Sequence, residues 1–302
     1  MSTKSTGEWL LSQNKYAPKP EVESFPKKFQ RNAYTISVTS GKGGVGKTSV
    51  SVKMATELAA KNYKVLLIDC DYNLSNTAVK LGLPITQAFV DYKNESKSFA
   101  ECIHQDGYFH LFSACNGSLE LFEDSFRIDQ LIVEILVNQE KNYDYIILDC
   151  PAGLSKDTLA LNAYSDYRFF VVTPDKSSVT DSYSLIKILN KKFGIKSNHL
   201  IVNKVSNPAQ YGRIVKTLSE TTENFLGCRL KVLGGIPKAD TDVDRFDQLL
   251  LKNADSSFQD SFSKILNKFT EESDGIAMSP PVIGVPYVRV DDFRHDVRPT
   301  IS

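Results

Sequence analysis

The chain has 302 residues, 41% of them hydrophobic and 24% charged, and its 36 basic and 36 acidic side chains give a formal net charge of zero. This composition is typical of a globular protein with a sizeable core, and it excludes wholesale disorder. Balanced charge argues against a surface built throughout to grip nucleic acid or anionic lipid, so we expect no specific DNA binding.

No apolar run reaches the roughly 18 to 20 residues that a membrane-spanning helix needs, and the N-terminal residues lack the core of a signal peptide. The five cysteines are scattered and form no C-x-x-C pair. Their spacing therefore encodes neither a disulfide framework nor a thiolate metal site. These features predict a soluble protein of the cytoplasm.

The two ends of the chain differ from its middle. Residues 1–32 contain three prolines and six basic side chains, and residues 271–302 contain four prolines and six acidic side chains. We predict that both are tails and that residues 33–270 form one folded domain.

Apolar runs of strand length, rich in Val, Ile, Phe and Tyr, alternate with stretches of helical period inside this domain. The runs are residues 34–39, 64–68, 110–114, 143–148, 168–173, 199–203 and 230–236. Their order predicts an α/β fold, a single P-loop domain in which a mostly parallel, doubly wound sheet is flanked by helices.

A glycine-rich loop directly follows the first predicted strand. Residues 41–48 read G-K-G-G-V-G-K-T and precede a helical stretch, which satisfies G-x-x-x-x-G-K-[ST] in the context that the motif requires. Glycines let the backbone approach closely, and successive N–H groups at a helix N-terminus cradle phosphate oxygens. We therefore predict ATP/ADP and Mg²⁺ as cofactors, with Lys47 on the β/γ-phosphates and Thr48 on the metal. The predicted contacts are Gly41, Lys42, Gly43, Gly44, Val45, Gly46, Lys47, Thr48 and Ser49.

Three aspartates follow apolar strands. Asp69 and Asp71 stand at the end of the second predicted strand, and Asp149 directly follows the run 143–148. Ligands of open α/β sheets bind at the carboxyl ends of the strands. Asp149 is therefore the Walker B candidate, which binds a Mg²⁺-coordinated water or Thr48. A solvated turn or a helix cap is the alternative interpretation of these positions.

Lys42 is not needed to hold phosphate within one subunit. With Lys42, Gly43, Gly44, Lys47 and Thr48 the loop meets the pattern K-G-G-x-x-K-[ST], and the chain resembles the deviant-Walker ATPases of the MinD/ParA family. The resemblance implies a MinD-like ATPase domain over residues 33–270, which hydrolyses ATP as a homodimer. It also implies that Lys42 reaches the partner's nucleotide and stabilises transition-state charge as an arginine finger does.

The same resemblance assigns roles to residues outside the loop. Asp69 supports the metal shell with Thr48 and Asp149, and Asp71 positions or activates the attacking water, so that Lys42, Lys47 and Asp71 are the catalytic candidates. Residues 151–153 match switch II, whose Gly153 amide senses the γ-phosphate. The switch I asparagine and the positions that contact adenine are Asn76, Asn203, Lys204, Pro237, Lys238 and Asp240.

The second half of the chain resembles a flagellar branch of this family, the number regulators FlhG/FleN, also called YlxH. Residues 177–187, 200–205, 225–228 and 233–240 carry this resemblance. It implies control of flagellar number or placement through a signal-recognition-type flagellar GTPase and a flagellar transcriptional activator or switch component. It further implies weak membrane association, at the inner membrane or the cell pole.

Two other functions stay open. A ParA-type ATPase for DNA segregation or for other cellular cargo would share every nucleotide residue, and its basic surface would have to include Lys187, Lys191, Lys192 and Lys196. A nucleotide-gated binding module with negligible turnover would also share the loop.

Apolar residues at helical spacing recur near the end of the domain. They are Phe258, Phe262, Ile265, Leu266 and Phe269, with two lysines between them. The spacing predicts a last helix that packs on the core, and contact with a membrane is the alternative.

Overall fold

The computed structural model describes residues 33–71, 77–113, 128–239, 247, 251 and 256–274. The predicted tail 1–32 and nearly all of the predicted tail 271–302 lie outside these residues. Two predicted site residues, Asn76 and Asp240, also lie outside them.

Strands and helices alternate along the described chain. The strands are β1 (Tyr34–Thr39), β2 (Val65–Asp69), β3 (His104–Asp106), β4 (Phe109–Phe112), β5 (Tyr145–Asp149), β6 (Tyr167–Val172), β7 (Ser197–Val205) and β8 (Arg229–Pro237). The helices are α1 (Lys47–Ala60), α2 (Thr77–Lys80), α3 (Ala88–Lys93), α4 (Phe99–Cys102), α5 (Ile128–Gln139), α6 (Lys156–Tyr164), α7 (Lys176–Phe193), α8 (Pro208–Leu226) and α9 (Ser256–Asp274).

The eight strands form one sheet in the order β3-β4-β2-β5-β1-β6-β7-β8. All neighbouring strands are parallel except β3 and β4, which pair antiparallel at one edge. The first described strand, β1, lies near the centre of the sheet, and later strands lie on both sides of it. The predicted α/β fold with a mostly parallel, doubly wound sheet is therefore confirmed.

Helices cover both faces of the sheet because strand residues alternate between the faces. Val65 and Leu67 of β2 pack with α1 and α9, whereas Leu66 and Ile68 pack with α3 and α5. Around β6 and β7, a further cluster joins the sheet to α7 and α8. This two-sided burial explains why the central strands β2 and β5 are apolar up to their final aspartates.

Helix α9 is the last described element, and its apolar face is buried in the core. Phe262 is fully buried, and the Phe269 ring packs edge-on against Tyr167 and Phe169 at centroid distances of 5.0 Å each. The predicted core-packed helix is confirmed, and the alternative in which these side chains contact a membrane is wrong. Among the described helices, none has the length and apolarity needed to cross a bilayer.

Candidate functional site

The glycine-rich loop joins β1 to α1 at the centre of the sheet, as the motif predicts. Gly44 and Gly46 have φ angles of 74° and 97°, in the left-handed region that favours glycine. A Cβ on Gly41 would lie 2.1 Å from the backbone carbonyl carbon of Asp181 in α7. One on Gly46 would lie 2.4 Å from the Asn203 side-chain nitrogen. The loop backbone is therefore packed against its neighbours at positions that only glycine can occupy.

Asp149 and Asp69 lie side by side at the carboxyl ends of β5 and β2, where they are register partners, and both are buried. Asp149 accepts hydrogen bonds from Thr48 and, at 3.0 Å, from the Ser51 hydroxyl. Burial and the charge of Asp69 raise the pKa of Asp149, and hydrogen bonds from Thr48 and Ser51 and the charge of Lys47 oppose that rise. Two neighbouring buried carboxylates favour binding of a cation.

The donor set here fits Mg²⁺, a hard cation that takes carboxylate and hydroxyl oxygens. Thr48, Asp69 and Asp149 supply these oxygens at the N-terminus of α1, next to Lys47. Asp71 follows β2, and its amide donates to the Asp69 carboxylate at 3.1 Å. The structure thus brings Thr48, Asp69 and Asp149 together at the loop, with Asp71 next to Asp69.

Lys42 points into its own chain. Its Nζ donates to the Asp175 carboxylate at 2.9 Å and to the Ser177 hydroxyl at 2.7 Å. Asp175 is also the N-cap of α7, where it accepts the Ser178 amide at 2.9 Å. Slight burial opposes ionisation, but hydrogen bonds from Thr173, Ser178 and Lys42 hold the pKa of Asp175 well below its usual range. A stable negative charge therefore holds Lys42 beside the loop.

Several residues predicted to contact nucleotide instead brace the loop in this structure. The Gly153 amide donates to the Ser40 carbonyl at 3.1 Å. The Asn203 side chain is buried, and it donates to the Val45 carbonyl at 2.7 Å. Lys204 donates from Nζ to the Gly44 carbonyl at 2.9 Å. It remains a prediction that Gly153 recognises the γ-phosphate. The adenine contacts of Asn203 and Lys204 are likewise predictions.

Pro237 and Lys238 lie at the carboxyl end of β8, beside the end of β7. The Lys238 amide donates to the Val205 carbonyl at 2.9 Å. This turn therefore lies at the carboxyl ends of the strands, as Asn203 does. Their predicted adenine contacts, like those of Asp240 outside the described residues, are untested.

The sequence interpretation missed two acidic residues near the phosphate loop, Asp175 and Asp247. Asp175 follows β6 as a helix N-cap, a position that favours aspartate, but no local pattern indicates its contact with Lys42. Asp247 accepts a hydrogen bond of 2.6 Å from Ser49, directly after the loop. No local pattern indicates a role for Asp247, because its two partners, Ser49 and Lys80, are distant from it in sequence.

Comparisons with known proteins identify the family of the chain. A family model described as an AAA domain matches residues 33–201, more than half of the chain. The flagellum site-determining protein YlxH of Helicobacter pylori is 33% identical over 221 residues, which cover 70% of this chain and 73% of that protein. The chain belongs to the MinD/ParA family of P-loop ATPases.

Two further similarities span most of the MinD/ParA domain. The antiactivator FleN of Pseudomonas aeruginosa is 29% identical over 203 residues, or 67% of this chain and 72% of that protein. The septum site-determining protein MinD of Pyrococcus horikoshii, solved in complex with Mg-ADP, superposes with a TM-score of 0.65 at 21% identity. That superposition covers 80% of this chain and 97% of the solved chain, and it shows the shared fold.

Proposed function

We propose that this MinD/ParA protein is a Mg²⁺-dependent ATPase, which hydrolyses ATP to ADP and phosphate and forms a homodimer in its ATP-bound state. The observation that carries the proposal is that Lys47 and Thr48 lie next to the buried carboxylates of Asp69 and Asp149, at the carboxyl ends of the central strands. The family consists of ATPases, and the solved relative MinD binds Mg-ADP.

Each residue has a defined task in this proposal. Loop amides and Lys47 bind the phosphates, while Thr48, Asp69 and Asp149 hold Mg²⁺, which neutralises phosphate charge when bound. Asp71 orients a water molecule and accepts its proton. Lys42 leaves Asp175 and donates to the nucleotide of the partner protomer. Turnover then returns the dimer to monomers.

We further propose that the ATPase cycle regulates flagellar number or placement. Support comes from FleN and YlxH, whose names assign them to antiactivation and to flagellum site determination. In this proposal the protein acts in the cytoplasm and at the inner membrane or cell pole. Its partners are a signal-recognition-type flagellar GTPase and a flagellar transcriptional activator or switch component.

One variant tests the nucleotide cycle and the flagellar role together. Lys47→Ala removes the charge that holds the β/γ-phosphates, so we expect ATP binding, measured by calorimetry, to fall below detection while the fold is retained. Cells that carry only this variant should show the same extra, missing or misplaced flagella, counted by electron microscopy, as cells without the protein. Normal flagella in both strains would refute the flagellar role and leave the ATPase proposal intact.

A ParA-type role in DNA segregation is the second candidate, because three lysines in the second half of α7 and one just after it are exposed. They are Lys187, Lys191, Lys192 and Lys196. Lysines spaced in this way on a helix are usually a solvated face, and the chain carries no net positive charge. DNA binding that requires ATP and weakens with salt would favour this candidate.

A further inference from the structure

A largely buried ion pair, formed by Lys80 and Asp247, adjoins the phosphate loop from outside the set of proposed nucleotide contacts. One carboxylate oxygen of Asp247 accepts the Ser49 hydroxyl at 2.6 Å, and the other forms an ion pair with Lys80. The side chains of Lys80 and Asp247 are only 17% and 10% exposed. Ser49 is 5% exposed, so solvent has little access to any of the three.

One partner of Asp247 lies beside a proposed metal ligand, and the other lies in a helix that contacts a second proposed ligand. Ser49 directly follows Thr48 in the first turn of α1. Lys80 ends the short helix α2, whose first residue, Thr77, donates its amide to the Asp69 carboxylate at 3.3 Å. Asp247 therefore connects, through one side chain, the segment that holds Thr48 with the segment that contacts Asp69.

Stability alone gives a poor account of this arrangement. Removing two charges from water is costly, and well-packed apolar side chains of similar volume often stabilise a core as well or better. An ion pair with an additional hydrogen bond does, however, fix the relative position of the elements that it joins. The feature that these elements share is the candidate metal site.

We propose that Asp247 is a positioning residue, which holds α1 and α2 at the spacing that Mg²⁺ binding between Thr48 and Asp69 requires. Lys80 and Ser49 transmit this constraint. The inference rests on the proposed ATPase function, because it concerns the metal site of that same reaction.

Two readouts test the inference. Asp247→Asn keeps an oxygen for Ser49 but removes the charge that holds Lys80, and Lys80→Met removes the other partner. By calorimetry, we expect each variant to bind ADP in EDTA as tightly as the wild type does. We expect the increase in ADP affinity that Mg²⁺ produces to be about tenfold smaller than in the wild type, since small displacements at a site have large effects. In hydrolysis assays, kcat should fall and the Mg²⁺ concentration for half-maximal turnover should rise, with KM for ATP nearly unchanged.

Further variants separate positioning from folding. Lys80→Arg retains the charge and should restore most of the Mg²⁺ effect. The double variant Lys80→Met/Asp247→Asn should be no worse than the poorer single variant, because both changes break one link. The matched control is Lys97→Met, which breaks the exposed ion pair of Lys97 and Asp91 at 2.7 Å and should leave both readouts unchanged.

Each outcome bears on one proposal. An unchanged Mg²⁺ effect in both single variants would overturn the inference, and so would a loss that follows thermal destabilisation and that Lys80→Arg does not rescue. A wild-type protein that binds Mg-ADP but does not hydrolyse ATP would refute the proposed ATPase activity. The ADP measurement would still decide the role of Asp247 in that case.

Discussion

Lys42 has two incompatible positions, one observed and one proposed. It contacts Asp175 and Ser177 within its own chain, whereas the proposed function places it at the nucleotide of a partner. The side chains of the Lys42–Asp175 pair are 41% and 45% exposed, and such pairs contribute only about 0–1 kcal/mol. The pair can therefore break when a stronger anion is offered, and the contact can act as a weak hold on the monomer.

Asp175→Asn tests this hold, because asparagine still caps α7 but carries no charge. With a non-hydrolysable ATP analogue, we expect the variant to dimerise at a severalfold lower protein concentration, measured by analytical ultracentrifugation. Its matched control, Ser177→Ala, loses one hydrogen bond, keeps the charge, and should shift dimerisation less.

Lys42→Ala should bind ATP normally but lose dimerisation or hydrolysis. Unchanged turnover in Lys42→Ala would remove this lysine from the mechanism.

At the scale of elements, burial on both faces decides what the sequence can predict. Strand β1 was predicted with the observed bounds, because its run is apolar and a glycine-rich loop ends it. Strand β7 extends two residues beyond the prediction at each end, because Ser197, Asn198 and Val205 continue the pairing with β8 outside the apolar run. Strand β3 was missed because all three of its residues are exposed and it pairs only at the sheet edge.

The packing of helix α9 on the core can be tested by two substitutions. Phe262→Ala removes a fully buried ring from the core and should lower the free energy of unfolding by about 3–5 kcal/mol. Lys264→Ala, on the exposed side of the helix, should change it by less than about 0.5 kcal/mol. Denaturant unfolding followed by circular dichroism measures both. Equal effects of the two variants would contradict the core position of this helix.

In the candidate site, residues that are close in sequence could be predicted, whereas contacts between distant parts of the chain could not. The phosphate loop could be predicted because its eight residues are contiguous, and the site aspartates could be predicted because strand ends mark them. Asp247 lies 198 residues from Ser49 and 167 from Lys80, so no sequence pattern joins them. The contact of Gly153 with Ser40 was likewise hidden, since it depends on how β5 pairs with β1.

Hydrolysis is the property of the whole molecule that separates an ATPase from a nucleotide-gated binding module. If Asp71 accepts the proton of the attacking water, Asp71→Ala should slow hydrolysis by on the order of 10²-fold or more while ATP binding persists. The ATP-dependent dimer should then last correspondingly longer after ATP is added, which fluorescence energy transfer between labelled protomers would follow. Wild-type protein with a non-hydrolysable analogue sets the upper limit of that lifetime. A dimer whose lifetime is unaffected by Asp71→Ala would mean that ATP binding alone sets the state of the protein, since hydrolysis would then contribute nothing to its release.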